Sequence, residues 1–146
     1  MSVCEIVSNL WLGNILVAKN KMFFDENNID YVINCTKDVP FYSNYTQNVR
    51  ISVDDNLKSN EINTMYKYLN RAADFIHNKL QDNKTILVHC YAGKQRSASI
   101  ICGYLMKYCN MKCKDAITAI KSKRLIAFTP AINFQQALYK FEKDLI

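Results

Sequence analysis

Apolar residues fall on two spacings along the chain. Short runs rich in Val, Ile and aromatic residues are too brief for helices. Between them lie stretches in which apolar positions recur every three or four residues. Cys4 to Val7 and Leu10 to Leu12, joined by Ser8-Asn9, predict a hairpin. Ile15 to Asn27 predicts one short helix that ends in the polar stretch 25–28. Ile29 to Cys35 is apolar and β-branched, as suits a strand buried on both faces. Residues 36–47 are polar and aromatic around Pro40 and predict a loop, whereas Val49, Ile51 and Val53 alternate and predict a strand. A loop over 54–59 follows, with Ser59 as the N-cap of a helix on which Ile62, Met65, Leu69, Ala73, Ile76 and Leu80 keep helical spacing. Ile86 to Val88 is a second buried run, and Ile100, Ile101, Tyr104, Leu105 and Tyr108 mark the helix after it. Cys113 to Arg124 predicts another helix, with Ala116, Ile117 and Ile120 on one face. Thr129 as N-cap and Pro130 as first residue open the last helix, whose stripe is Phe134, Leu138, Phe141 and Leu145.

Strands separated by helices predict an α/β fold, a central, mostly parallel twisted sheet with helices on both faces. A chain of 146 residues fits a single domain over 1–146. In such a sheet ligands sit beyond the carboxyl ends of the strands. Cys35, Asp54, Asp55 and Cys90 all follow predicted strands, which places them at one end.

Composition narrows the class. No apolar run approaches the roughly 20 residues of a membrane span, and no secretory or lipidation signal is present. The six cysteines form no Cys-x-x-Cys pair; Cys109 and Cys113 have only two histidines to help them, so no zinc site is expected. Scattered cysteines without a signal peptide imply a reducing compartment, the cytoplasm or the nucleus. The hairpin begins almost at the first residue, leaving no arm to exchange between subunits, so a monomer is expected. The net charge of +6 suits anionic partners. Lys107, Lys112, Lys114, Lys121, Lys123 and Arg124 form a late basic cluster, read either as solvated surface or as substrate steering.

Candidate chemistry concentrates between the buried run at Ile86 and the helix after it. That loop holds Cys90, Gly93 and, six positions after the Cys, Arg96. A strand–loop–helix turns backbone N–H groups and the positive end of a helix dipole toward an anion. Thiols in such fields ionise well below the usual thiol range. Arg96 adds a planar fork for a phosphate-like dianion. Gly93-Lys94 does not make a nucleotide-binding P-loop, which needs Gly at 88 and Ser or Thr at 95, where Val88 and Gln95 stand. The loop therefore reads as a phosphoryl seat above a nucleophilic sulfur, against the plainer alternative of a buried Cys after a strand.

His89-Cys90-x-x-Gly93-x-x-Arg96-Ser97 resembles the signature of the Cys-based protein phosphatases. Leu10-Trp11-Leu12-Gly13-Asn14, Tyr31-Val32-Ile33-Asn34, Ile51-Ser52-Val53-Asp54-Asp55-Asn56, Gly103-Tyr104-Leu105-Met106 and Phe134-Gln135-Gln136-Ala137-Leu138 resemble the family's flanking elements. The likeness covers nearly the whole chain and is greatest to the small dual-specificity phosphatases. It implies hydrolysis of phosphotyrosine and phosphoserine or phosphothreonine in proteins. Cys90 would be the nucleophile and Arg96 the phosphate fork. Asp55, counted from Ile51, would be the general acid, with Asp54 as a loop residue. Ser97 would bond the thiolate, and His89 would brace the loop rather than act as acid or base. Backbone donors of Tyr91, Ala92, Gly93, Lys94, Gln95 and Arg96 would hold the phosphate, with Gly93 at positive φ. No metal or other cofactor is then needed. The span from Asp55 to Asp74 is about one helical turn longer than in the family, which leaves the seat of the acid loop open. Lys94 resembles the tumour-suppressor phosphoinositide phosphatases at that position, so phosphoinositides or RNA 5′-phosphates are alternative substrates. A non-catalytic phosphate-binding module is a further alternative, disfavoured by the intact Cys90, Arg96 and Asp55. Cys35 is a candidate resolving thiol for Cys90. The family's Pro-Asn-x-Gly-Phe is here Pro130-Ala131-Ile132-Asn133-Phe134, and the missing Asn at 131 predicts a less rigid active-site loop.

Overall fold

A computed structural model describes residues 2–146. Its five strands are β1 (Val3–Val7), β2 (Leu10–Gly13), β3 (Tyr31–Asn34), β4 (Gln47–Arg50) and β5 (Ile86–His89). They form one sheet in the order β1-β2-β5-β3-β4. Four strands run parallel, and β1 alone is antiparallel, folded back on β2 through Asn9 at φ 68°. The register sets Gly13, His89, Asn34 and Arg50 side by side. The strands therefore end in one row, and the next residues, including Cys90 and Cys35, emerge along one rim.

The helices are α1 (Ile15–Ala18), α2 (Lys21–Asn27), α3 (Ser59–Gln81), α4 (Arg96–Tyr108), α5 (Cys113–Lys123) and α6 (Gln135–Asp144). Side-chain alternation divides the sheet between two cores. Ile33, Ile86 and Val88 pack among α3 to α6, while Val32 and Leu87 pack against Val17, Phe23 and Phe24 of α1 and α2. Helices thus cover both faces, as the pattern predicts. α3 and α4 meet at Gly103, where an added Cβ would stand 3.1 Å from Leu69 Cδ2.

Apart from shifts of one or two residues at strand and helix ends, four boundaries differ from the sequence reading. The stretch 15–27 is two helices, because Asn20 adopts an extended backbone and its side chain accepts the Phe23 N–H. An Asn side chain that satisfies backbone donors competes with helix continuation, and the apolar spacing carries on across the break. Ser59 is the first residue of α3 rather than its cap, which is Lys58, with no side-chain cap bond. The β4 ladder ends at Arg50, although Ile51 and Val53 are buried. The alternation there reports burial, not pairing. The last helix opens at Gln135 instead of after Thr129-Pro130, a cis peptide bond. The Gln95 side chain holds residues 129–133 by donating to the Thr129 and Ala131 carbonyls (3.2 and 2.6 Å) and accepting the Asn133 N–H (3.0 Å). That bridge overrides the local start signal.

Candidate active site

Residues 90–95 carry the chain from the end of β5 to the start of α4. Their carbonyls are all engaged. Cys90 O accepts from His89 Nδ1 (3.3 Å), Tyr91 O from the Ile15 N–H (2.9 Å) and Lys94 O from the Phe128 N–H (2.8 Å). Arg124 donates from Nε to Gly93 O (2.7 Å) and from Nη2 to Ala92 O (3.3 Å), and Gln95 O accepts the Ser99 N–H (2.9 Å). None of the amides of 91–95 finds a backbone acceptor among the described residues. A loop with every carbonyl tied outward presents its N–H groups to the opposite side, and the uncapped first turn of α4 adds to them. Gly93 makes this path possible. Its φ is 67°, and a Cβ would come within 2.6 Å of Gly13 O and 2.7 Å of Arg124 Nη2.

Under this cradle lies Cys90, only 2% exposed, with Sγ 3.1 Å from Ser97 Oγ. Arg96 donates from Nη1 to Val53 O (3.1 Å), and its Nε is buried with no partner among the described residues. An unpaired guanidinium N–H is costly unless an oxyanion comes to it. Thr36, Asp38, Asp54, Asp55, Tyr91 and Arg96 line a cleft of about 330 Å³ at this rim. The Lys94 side chain is not part of that lining.

The two acid candidates are tethered differently. The Asp54 backbone N–H donates to Glu61 Oε1 (2.9 Å) and its carboxylate pairs with Lys37 (3.5 Å). Glu61 is buried and also accepts from Lys37 (2.8 Å). The Asp54 amide, then the Lys37 ammonium, hold the Glu61 carboxyl below its ordinary range. Asp55 is exposed and free of that anchor; its Oδ1 accepts from Asn133 Nδ2 (2.8 Å).

Three side-chain placements around the candidate site escape the sequence reading. Arg124, counted there with the basic surface, is 3% exposed and lies behind the loop with no carboxylate in ion-pair distance among the described residues. The signal existed: 124 continues the helical face of Ile117 and Ile120. The Gln95 side chain turns away from the cradle to brace 129–133, and Asn133 reaches Asp55. Together they supply the polar support that Ala131 lacks.

His89 is 1% exposed, and burial first, then the charges of Arg50 and Arg96, pull its pKa down to about 4. A carbonyl only accepts, so Nδ1 carries the proton toward Cys90 O. The ring is neutral at pH 7. Unfolded, it would take up a proton near its ordinary 6.5, so the unfolded chain binds more protons between about 6.5 and 4. Stability from this site is complete above the unfolded value and is lost as pH falls toward the folded one. Denaturant titrations at about pH 7.5 and 4.5 should show wild type losing about 2–3 kcal/mol more than His89→Gln over that range. Equal losses would mean that His89 is not buried neutral.

Dual specificity phosphatase, catalytic domain, is the family model that matches, over residues 10–144. The chain belongs to this family. Protein 123R of Invertebrate iridescent virus 6 is 34% identical over 146 residues, which cover 99% of this phosphatase and 95% of the relative. Dual specificity protein phosphatase 1 of Mus musculus is 32% identical over 143 residues, covering 97% of this chain but 38% of the relative. Among solved structures, DUSP15 superposes with a TM-score of 0.86 at 28% identity, covering 96% of this chain and 86% of that one. This phosphatase therefore shares both sequence and fold with the dual-specificity enzymes, and phosphorylated substrates follow from that membership. No helix among its described residues is long and apolar enough to cross a membrane.

Proposed function

We propose that this chain hydrolyses phosphotyrosine and phosphoserine or phosphothreonine in proteins through a cysteinyl-phosphate intermediate. The observation that carries the reading is the outward-tied loop above Cys90, with the unpartnered Arg96 Nε beside it. A phosphoryl dianion would seat on the loop amides and the guanidinium. The Cys90 thiolate attacks phosphorus, forming the S–P bond as the bond to the leaving oxygen breaks, and Asp55 gives that oxygen its proton. Water then attacks the phosphocysteine and passes a proton to the Asp55 carboxylate. The S–P bond breaks, inorganic phosphate leaves, and the Ser97 hydroxyl donates to the departing sulfur. His89, neutral, keeps the Cys90 carbonyl turned out.

The acid sits on an exposed loop and Tyr91 is 62% exposed, so the cleft is open-sided and suits both aryl and alkyl phosphates. No observation at the cleft favours phosphoinositides or RNA. The scheme uses residues of one chain only, so a monomeric single-domain unit would suffice for it. Six free cysteines suit a reducing compartment such as the cytoplasm. Steady-state assays on phosphotyrosine and phosphothreonine peptides, with phosphoinositides and triphosphorylated RNA alongside, test the reading. Turnover of both peptide classes is expected; turnover of lipid or RNA alone overturns it.

Two further results are expected. Arg96→Lys keeps the charge and loses the fork, so kcat/KM on a phosphopeptide should fall about 100-fold. A loss under about fivefold would show that charge alone suffices. Peroxide should inactivate the enzyme reversibly, because an ionised thiol oxidises first to sulfenic acid. Cys35, fully buried, donates its N–H to His89 O (2.8 Å), and burial first, then the Cys90 charge, pushes its own thiol well up. As resolving thiol it would attack the Cys90 sulfenic sulfur and release water. Peptide mass mapping after peroxide should find a Cys35–Cys90 linkage; finding Cys90 only as sulfinic acid removes that role.

A further inference from the structure

We infer that Asn133 is a positioning residue for Asp55, and that Gln95 fixes Asn133 to the phosphate loop; this rests on Asp55 being the acid. Residues 55–60 are exposed, and Leu57 sits at φ 66°, so the acid lies on a segment with few neighbours. The tethers before it stop at Val53 and Asp54. None of them reaches the Asp55 carboxyl, whose hydrogen-bond partner is Asn133 Nδ2 at 2.8 Å.

Asn133 is itself placed by the catalytic loop. Its backbone N–H donates to Gln95 Oε1 (3.0 Å), and the Gln95 amide nitrogen is taken up by the carbonyls of Ala131 (2.6 Å) and Thr129 (3.2 Å). Gln95 is 5% exposed and adjoins Arg96 in the chain. The path from the phosphate seat to the acid is therefore two side chains long: Gln95, then Asn133. A shift of the seat carries the acid with it, and reacting groups lose rate steeply when misplaced by about 1 Å.

The bond also selects an oxygen. The carbonyl oxygen is the better acceptor of a carboxylic acid, so an amide N–H at Oδ1 favours the form of the neutral acid with its proton on Oδ2. That leaves Oδ2–H to face the leaving oxygen. Without Asn133 the proton is free to sit on either oxygen and the carboxyl to rotate.

Kinetics on two substrates test this. Asn133→Ala should lower kcat about tenfold on a phosphothreonine peptide, with KM unchanged, and less than twofold on 4-nitrophenyl phosphate, whose leaving group needs no proton. Asn133→Ser, which keeps a short donor, should recover part of the loss. In an Asp55→Asn background, Asn133→Ala should add nothing. Equal losses on both substrates, or full additivity with Asp55→Asn, would overturn the role of Asn133. Should Asp55→Asn by itself show no leaving-group dependence, the assignment of the acid fails instead. Thermal unfolding of each variant within a few degrees of wild type excludes loss of fold as the cause.

Discussion

Cys90→Ser should lower turnover of a phosphopeptide by about 10⁵-fold and leave phosphopeptide binding within a few-fold of wild type. The two halves have separate causes. Turnover needs a strong nucleophile that is also a good leaving group from phosphorus, and a serine hydroxyl is neither to the degree that a cysteine sulfur is. Loss of a covalent nucleophile leaves only the acceleration that binding and oriented dipoles supply. Binding depends on the loop amides and on Arg96. The bonds that aim them come from Ile15, Phe128, Ser99, His89 and Arg124, and none involves the Cys90 sulfur. The sulfur's own hydrogen bond is to Ser97 Oγ, and a serine hydroxyl at 90 can take its place there. Stopped assays on purified protein, with calorimetric titration of the same peptide, read both quantities. Activity persisting above a trace would remove Cys90 as the nucleophile. Loss of binding together with turnover would mean that the seat itself depends on the sulfur.

The parts legible in the sequence share one property: each is written in a short window. The hairpin, β3, β5 and the three long helices carry their period within a dozen residues. The signature Cys90 to Arg96 is local too, because a phosphate seat is made of consecutive amides. Burial without pairing, at Ile51 and Val53, carries the same alternation as a ladder, so the strand end was not legible. Asn20 breaks a helix by a side-chain bond that apolar spacing does not register. The Thr129-Pro130 start signal is real locally and loses to three hydrogen bonds from Gln95, more than thirty residues away in sequence. Asn133 and Asp55 are 78 positions apart, and neither stands in a pattern that names the other. Arg124, the residue that follows α5, differs: its spacing continues the apolar face of Ile117 and Ile120 in the sequence, but its charge and its basic neighbours point to the surface. A buried arginine is tolerated there because two carbonyls of the loop take its donors. Its charge then lies behind the cradle, adding to the field that favours an anion in front.

Asp55→Asn should lower kcat about 1,000-fold on a phosphothreonine peptide, and by less than about tenfold on 4-nitrophenyl phosphate. General acid catalysis typically contributes 10²–10⁴-fold, and the contribution scales with how badly the leaving oxygen needs a proton. An alkoxide from threonine needs it most, a phenoxide from tyrosine less and a nitrophenoxide hardly at all. The variant should therefore rank substrates by leaving group where wild type does not. Asp54 is the competing candidate because it lines the same cleft. Its carboxylate pairs with Lys37 and its backbone N–H is pinned to Glu61, so it is the more restrained and the more neutralised of the two. Asp54→Asn should then cost only a few-fold, equally on both substrates, through a looser acid loop. If instead Asp54→Asn shows the leaving-group dependence and Asp55→Asn does not, the proton comes from Asp54, and the contact between Asn133 and Asp55 serves the loop rather than the chemistry.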